Sequence, residues 1–425
     1  MTTTSTSVRE KAEALLTRIE RVDAAVNAYV AIDRDLVLRE ADRLDALDPS
    51  ARGSLFGVAV GVKDLVDVAG LPTRAGSGFF VRHPESDAAL VRKLRDAGAL
   101  IVGKTITHEF AWGITSENPH TGRVRNPWDL DRIPGGSSGG SGAALAAGLC
   151  ELAIGTDTMG SVRIPSALCN TSGIRPATGS LDMNGIFPLA PTFDIAGPMA
   201  LDVLTVRDAL AVMSGVPIAS GAFAGRVARL RGGRWDELPP DVATALDAAA
   251  DALRALGIAV DDVTWWEDGL ADAAATVQRH DAARVHAEFF PAHRDGYGAD
   301  VRAHVELALT VTDEQRAAAL AAIARARESF ATRTAPYAAL LAASVPGEAP
   351  ESPAPPTFRP AVMPLVAPAS VFGLPSLAVP IGAAADGMPL GMQIIGTASS
   401  PDAVLALGAA YQSATSWHRR RPDLV

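Results

Sequence analysis

The chain has 425 residues, a net charge of −10 and 48% hydrophobic residues. This composition is typical of a globular protein with a large core. The acidic balance, without a basic face, argues against nucleic acid or an anionic membrane as the main partner. No apolar stretch reaches the roughly 18 residues that a membrane-spanning helix needs.

Cysteine usage and the amino-terminal segment indicate the compartment. Cys150 and Cys169 stand in apolar surroundings without metal-ligand spacing, so neither a disulfide framework nor a zinc site is predicted. Residues 1–7 are polar and lack the basic start and apolar stretch of a secretory signal. We therefore expect a cytoplasmic protein.

Helical and strand patterns alternate through the first half of the chain, which indicates an α/β core. The predicted elements are a helix over 8–30, a strand over 56–62, a helix over 87–98 capped by Asp87, a strand over 100–102, a helix over 142–149 and a strand over 152–154.

The second half is mainly helical before strands return. We predict helices through about residue 337 with one strand at 257–263, a proline-rich loop at 346–360, strands at 366–368, 376–380 and 390–395, and a closing helix at 401–413. The expected organisation is a single domain over 1–425, with its core at 55–200 and 361–415 and a helical insertion at about 201–345.

Residues 98–105, GALIVGKT, fit the phosphate-binding loop pattern. Such a loop must follow its strand, yet here the variable positions are apolar residues that themselves form the predicted strand. Nucleotide binding is therefore not predicted.

Residues 136–140, GSSGG, also fit a nucleophile elbow with Ser138 as the nucleophile. The preceding residues 126–134 carry two prolines and alternating charges where an elbow needs a buried strand. No downstream histidine has a triad context, so we also reject this interpretation.

A third interpretation joins Lys63, Ser137 and Ser161. Both serines lie in glycine-dense turns where backbone N–H groups can converge, and Lys63 ends an apolar run. A lysine can accept a serine proton once burial lowers its pKa enough to leave it neutral. Ser137 can donate to the lysine nitrogen and accept from Ser161, which predicts a serine nucleophile without histidine.

Ordered motifs across nearly the whole chain resemble the amidase signature family. They are GVKD at 61–64, RNP at 125–127, PGGSSGGSG at 134–142, GTDTMGSVRIP at 155–165, GIRP at 173–176, FDIAGP at 193–198, GLP at 373–375 and GMQ at 391–393. The resemblance implies an α/β amidase signature fold, with a mixed β-sheet core flanked by helices, and an amidase without metal or cofactor.

The resemblance also implies roles for individual residues. Ser161 would be the acyl-forming nucleophile, Ser137 the bridging serine after a cis peptide bond, and Lys63 the base. The oxyanion hole would be formed by the backbone amides of Thr158, Met159, Gly160 and Ser161. Supporting roles fall to Asp157, which would hold the nucleophile loop, to Arg163, which would pack behind it, and to Ser138.

Met159 departs from the family pattern, which has glycine at this position. If the position requires φ > 0, methionine adds roughly 1 kcal/mol of strain. Its side chain is also expected to protrude into the substrate cleft. Either activity is retained with a narrowed pocket, or the oxyanion geometry is impaired.

The motifs define the reaction but not the substrate. Aromatic and apolar residues beside them either line an acyl pocket or belong to the core, namely Phe110, Trp112, Ile186, Phe187 and Phe193. We predict hydrolysis of a small-molecule carboxamide, or a related C–N bond, to a carboxylic acid and ammonia or an amine through an acyl-Ser161 intermediate. The alternatives are a binding protein with impaired catalysis and a component of a partner-dependent amidotransferase. A homodimer is compatible with the sequence.

Overall fold

Eleven strands form one mixed sheet in the computed structural model, which describes residues 7–424. Residues 1–6, most of the polar segment without a secretory pattern, lie outside this range. The strands are β1 (Tyr29–Ala31), β2 (Ala59–Lys63), β3 (Leu100–Thr105), β4 (Leu152–Asp157), β5 (Ser172–Arg175), β6 (Ile195–Ala200), β7 (Val227–Arg231), β8 (Val260–Thr264), β9 (Ala339–Ala343), β10 (Ser376–Ala383) and β11 (Pro389–Gly396). Their spatial order is β1-β3-β2-β4-β6-β5-β10-β11-β9-β7-β8.

Helices cover the sheet, which confirms the predicted α/β class. They are α1 (Val8–Val26), α2 (Arg34–Asp45), α3 (Ala89–Asp96), α4 (Gly139–Ala146), α5 (Arg163–Leu168), α6 (Val203–Ser214), α7 (Pro240–Ala255), α8 (Leu270–His286), α9 (Phe290–His293), α10 (Ala299–Ala308), α11 (Asp313–Thr334), α12 (Phe358–Val371) and α13 (Asp402–Ala414).

Asp87 does not cap the helix that follows it. Helix α3 begins at Ala89, and the Asp87 carboxylate instead accepts from the Ala69 N–H and from Arg95 Nε, both at 2.8 Å. The carboxylate therefore ties a preceding loop to the last turn of α3, and the prediction of a cap at Asp87 was wrong.

The strand predicted at 366–368 is also wrong, because these residues lie inside α12. Two prolines, Pro364 and Pro368, interrupt the hydrogen-bond ladder of this helix. Side chains from outside the helix also bond to it beside these prolines: Leu365 O accepts from Gln393 and Val366 O accepts from Arg163. Long-range polar contacts thus hold a helix that local propensity disfavours.

The region 201–345 contributes three strands to the sheet rather than one. The predicted strand at 257–263 corresponds to β8, while β7 and β9 were not predicted. Strand β9 has the sequence ALLAA, which lacks the β-branched residues that identify a strand. It is nevertheless entirely buried between β11 and β7.

Most of the residues that fit the phosphate-loop pattern form β3, in agreement with the prediction that they are a strand rather than a loop. Residues 100–105 form a buried strand. The Lys104 side chain is buried and forms an ion pair with Asp64 at 3.1 Å, so its charge is neutralised within the protein.

Strands β2 and β4 are parallel neighbours, and their carboxyl ends place the polar residues of the site. Lys63 is the last residue of β2, while Thr156 and Asp157 end β4. Carboxyl ends of parallel strands meet at one edge of a sheet, where α/β proteins commonly bind ligands.

Candidate active site

The Lys63 side-chain nitrogen is buried among three hydroxyl groups. Its Nζ atom lies 2.8 Å from Ser137 Oγ, 2.9 Å from Ser138 Oγ and 2.8 Å from Thr156 Oγ1. The Lys63 residue is 0% exposed. Because neutral hydroxyls surround the nitrogen, no direct ion pair compensates for the loss of water.

Burial lowers the pKa of Lys63 to about 7, although the charges of Asp157 and Asp194 oppose the shift. Near neutral pH a large fraction of Lys63 is therefore unprotonated. Its lone pair can then accept a hydrogen bond from one of the surrounding hydroxyls. This is the state that a general base requires.

The Gly136-Ser137 peptide bond is cis. A Cβ atom at Gly136 would lie 2.8 Å from the backbone carbon of Ile114, so this position requires glycine. The Ser137 carbonyl accepts hydrogen bonds from the His108 N–H at 3.2 Å and from the Ser116 hydroxyl at 3.4 Å. These contacts hold the turn whose Ser137 hydroxyl meets Lys63.

Ser161 lies in the loop between β4 and α5 and is 6% exposed. The Ser161 carbonyl accepts from the Ser138 N–H at 3.2 Å, which joins this loop to the glycine-rich loop. Ser138 also contacts Lys63 through its hydroxyl and accepts from the Thr156 N–H at 3.3 Å. The two loops and Lys63 therefore form one connected network.

The Asp157 carboxylate organises the loop that leads to Ser161. It accepts from the Gly160 N–H at 2.7 Å and from the Val162 N–H at 3.3 Å. The Gly160 amide is thus occupied in this structure, although it was predicted to be an oxyanion donor. The amides of Thr158, Met159 and Ser161 donate to no acceptor within residues 7–424.

Two buried arginines stabilise the charge of Asp157. Arg163 Nε lies 3.0 Å and Arg175 Nη1 lies 3.4 Å from its carboxylate oxygens. Burial alone would raise the pKa of Asp157, but the two guanidinium groups lower it well below its usual range. Arg163 also bonds Gln393 Oε1 and Ser370 Oγ, both at 2.7 Å, and so connects the loop to β11 and α12.

Met159 does not adopt a positive φ, so the expected backbone strain is absent. The left-handed conformation falls on the next residue, Gly160, with φ 98°. The Met159 side chain is 6% exposed and lines a cavity of about 440 Å³. The cavity is also bounded by α8, by α12 and by Trp112, Trp265 and Trp266.

The residues predicted to line a substrate pocket separate into different surroundings. Trp112 lines the 440 Å³ cavity, whereas Phe110 is completely buried in an aromatic cluster with Tyr297 and His286. Ile186 and Phe187 border a small space of about 10 Å³ beside Thr158. Phe193 is a core residue.

Thr156 and Asp194 make contacts that sequence reasoning missed. Thr156 is the third hydroxyl on Lys63, and Asp194 accepts from the Thr158 hydroxyl at 2.6 Å. Both lie within the quoted motifs, but a motif does not reveal which side chains meet. A usable signal was Thr156, which with Asp157 forms the polar end of β4, a strand paired with the strand of Lys63.

None of the helices between residues 7 and 424 combines the length and hydropathy of a membrane span. In the same part of the chain, no group of three His, Cys, Asp or Glu side chains is arranged to hold a metal ion.

Comparisons with known proteins identify the family of the chain. The chain matches the Amidase family over residues 10–405. It is similar to a glutamyl-tRNA(Gln) amidotransferase subunit from Roseiflexus sp. (strain RS-1), with 33% identity over 98% of this chain and 94% of the relative. Among solved structures it is similar to an amidase, with 33% identity, a TM-score of 0.91 and 96% of both chains covered. It is also similar to the peptide amidase from Stenotrophomonas maltophilia, with 27% identity, a TM-score of 0.85 and coverage of 98% and 95%.

The fold and these relatives define an enzyme of the class that acts on amide C–N bonds. The chain belongs to the Amidase family, which confirms the amidase signature resemblance of its motifs.

Proposed function

We propose that this protein is an amidase that hydrolyses a carboxamide, or a related C–N bond, through an acyl-Ser161 intermediate. The observation that carries the proposal is the buried Lys63, which contacts Ser137 in the loop hydrogen-bonded to that of Ser161. A base with a pKa near the working pH is the most effective proton acceptor.

In the proposed cycle, the Ser161 oxygen attacks the carbonyl carbon while its proton passes through Ser137 to Lys63. The backbone amides of Thr158, Met159 and Ser161 stabilise the oxyanion. Lys63 returns the proton through Ser137 to the leaving amine as the C–N bond breaks. Water then hydrolyses the acyl-enzyme by the same proton route and releases the acid.

The test is intact mass spectrometry after treatment with a fluorophosphonate, followed by ammonia release from a panel of amides. Wild-type protein should gain one adduct, and Ser161→Ala should gain none. Lys63→Met should react on the order of 100-fold more slowly, because Ser161 loses its base. Ser180→Ala, which removes an exposed serine outside the site, should label like the wild type.

A folded wild-type protein that stays unlabelled, or a Ser161→Ala protein that labels at the wild-type rate, would contradict this proposal. Circular dichroism on each variant separates loss of reactivity from loss of fold.

A second candidate is a partner-dependent amidotransferase component, because the chain aligns along nearly its whole length with proteins named as subunits of such an enzyme. That function predicts ammonia release from glutamine only when partner proteins are present. A free-standing amidase predicts that the isolated chain turns over its amide unaided.

A further inference from the structure

Two arginines in the wall of the 440 Å³ cavity lack an acidic partner. Arg279 lies on α8 and Arg359 at the start of α12, and both are partly buried. Neither guanidinium group forms an ion pair with, or donates a hydrogen bond to, any residue from 7 to 424. Charged groups withdrawn from water are normally paired, as Arg163 and Arg175 are with Asp157.

The two guanidinium groups and a neighbouring histidine interact electrostatically. Burial and the nearby charge of Arg279 lower the pKa of Arg359. Burial, together with the charge of Arg359, lowers the pKa of His304 to about 4, so His304 is neutral at physiological pH. His304 also lines the cavity, and its Nδ1 is buried without a hydrogen-bond partner among residues 7–424.

The described carboxylates near this wall form no direct ion pair with either arginine. The charge of Asp300 raises the pKa of both Arg359 and His304 from a distance, while its carboxylate contacts His108 at 2.9 Å rather than either arginine. Glu267 and Asp272 are exposed members of the cavity lining, and neither forms an ion pair with an arginine of the described chain. The wall therefore contains two guanidinium groups that none of these carboxylates pairs with directly.

The rest of the lining is suited to an organic body with one polar end. Gln278 is 5% exposed, lines the cavity and has no side-chain hydrogen-bond partner in the described chain. Trp112, Trp265, Trp266 and Met363 provide apolar surface. Met159 connects this space to the loop that carries Ser161.

We propose that Arg279 and Arg359 bind the carboxylate of the substrate, which is therefore an anionic amide with its amide group directed past Met159 toward Ser161. This inference rests on the proposed amidase function. A planar guanidinium group can form two parallel hydrogen bonds with a carboxylate, and two such groups around an enclosed carboxylate give strong, charge-assisted binding. Monoamides of dicarboxylic acids and carbamoyl-substituted aryl carboxylates have this chemistry.

The test measures binding rather than turnover, so it does not depend on the catalytic step. Dissociation constants are determined by isothermal titration calorimetry on full-length Ser161→Ala protein. The probes are succinamate, glutaramate, adipamate and 4-carbamoylbenzoate, each paired with the neutral amide in which the carboxylate is replaced by a methyl group. At least one anionic member should bind on the order of tenfold or more tightly than its neutral partner.

Arginine variants in the same background test the assignment. Arg279→Gln and Arg359→Gln should each remove most of the preference for the anion, and Arg359→Lys should retain part of it because the charge remains. Arg325→Gln, which removes an exposed charge on α11, should bind like the parent protein.

The inference fails if no anionic amide binds more tightly than its neutral partner, or if the preference survives in the Arg279→Gln/Arg359→Gln double variant. Absence of fluorophosphonate labelling in the wild type would instead contradict the amidase proposal, so the two failures are distinguishable.

Discussion

The Lys63 nitrogen is surrounded by hydroxyl oxygens, and this choice of neighbours decides its protonation. A carboxylate in direct contact would stabilise the ammonium form and raise the pKa. Ser137, Ser138 and Thr156 offer hydrogen bonds without a full negative charge. Burial therefore dominates, and the pKa falls to about 7.

The rate of Ser161 labelling should consequently rise with pH, with its midpoint at about pH 7, and level off roughly one pH unit above that. The reason is that only the neutral amine of Lys63 can accept the proton, and the neutral fraction increases as pH passes the pKa of about 7. The profile is measured between about pH 5 and pH 9 by quenching the labelling reaction at set times and determining the intact mass of the protein. A rate that stays flat across this range would rule out Lys63 as the titrating base.

Stability provides a readout of the same ionisation that does not involve turnover. The folded pKa of about 7 lies below the ordinary value of 10.5, so the unfolded chain binds more protons between these two values. The free energy of unfolding of the wild type should therefore increase with pH in this window, relative to Lys63→Met, by about 1.4 kcal/mol per pH unit. Urea denaturation at several pH values gives the difference.

The sequence offered candidates for the catalytic side chains but did not reveal their contacts. Lys63, Ser137 and Ser161 stand in motifs with recognisable chemistry, and the predicted cis bond before Ser137 is present. The binding of the Gly160 amide by Asp157 was not predictable, because one carboxylate can accept from several amides of a loop. The proximity of Arg279 to Arg359 depends on how α8 and α12 pack, which no local pattern specifies.

At the scale of elements, Asp157 joins the end of β4 to α5, α12 and β11. It holds the loop amides on one side and the guanidinium groups of Arg163 and Arg175 on the other. These arginines in turn bond α12 through Ser370 and β11 through Gln393. The orientation of the nucleophile loop therefore depends on segments more than 200 residues away in the chain.

Asp157→Asn should lower the free energy of unfolding by about 3–5 kcal/mol, because it leaves two buried guanidinium groups without a countercharge. Urea denaturation followed by circular dichroism measures the loss. The matched control is Asp261→Asn, which breaks a largely exposed pair with Arg226 and should cost under about 1 kcal/mol. Equal losses in the two variants would contradict this prediction, because the buried cluster would then contribute no more to the free energy of unfolding than the exposed pair.

Predictions of elements succeeded where burial and local preference agree. Strands β2, β3 and β4 were located because β-branched residues fill many of their apolar positions. The helix α12 and the strand β9 were missed because each is imposed by its neighbours. Proline residues in α12 and alanines in β9 favour other conformations, and packing against the sheet overrides them.

For the whole molecule, one hydrophobic cluster extends along most of the sheet, from β3 to the edge strand β8. It includes Val60 on β2, Leu230 on β7 and Ile394 on β11. We propose that the described chain unfolds as a single cooperative unit, in keeping with the predicted single domain. Tryptophan fluorescence and far-ultraviolet circular dichroism should give coincident urea transitions. Two separate transitions would indicate that 201–345 folds independently of the core.

The backbone and the side chain of Met159 serve different parts of the site. Its backbone amide belongs to the loop of the proposed nucleophile, while its side chain forms part of the wall of the adjoining cavity. A change of side chain here alters the shape of that cavity and leaves the peptide group in place. Such a position allows related enzymes to diverge in substrate range while their reaction stays the same, and it is a natural starting point for engineering a different preference.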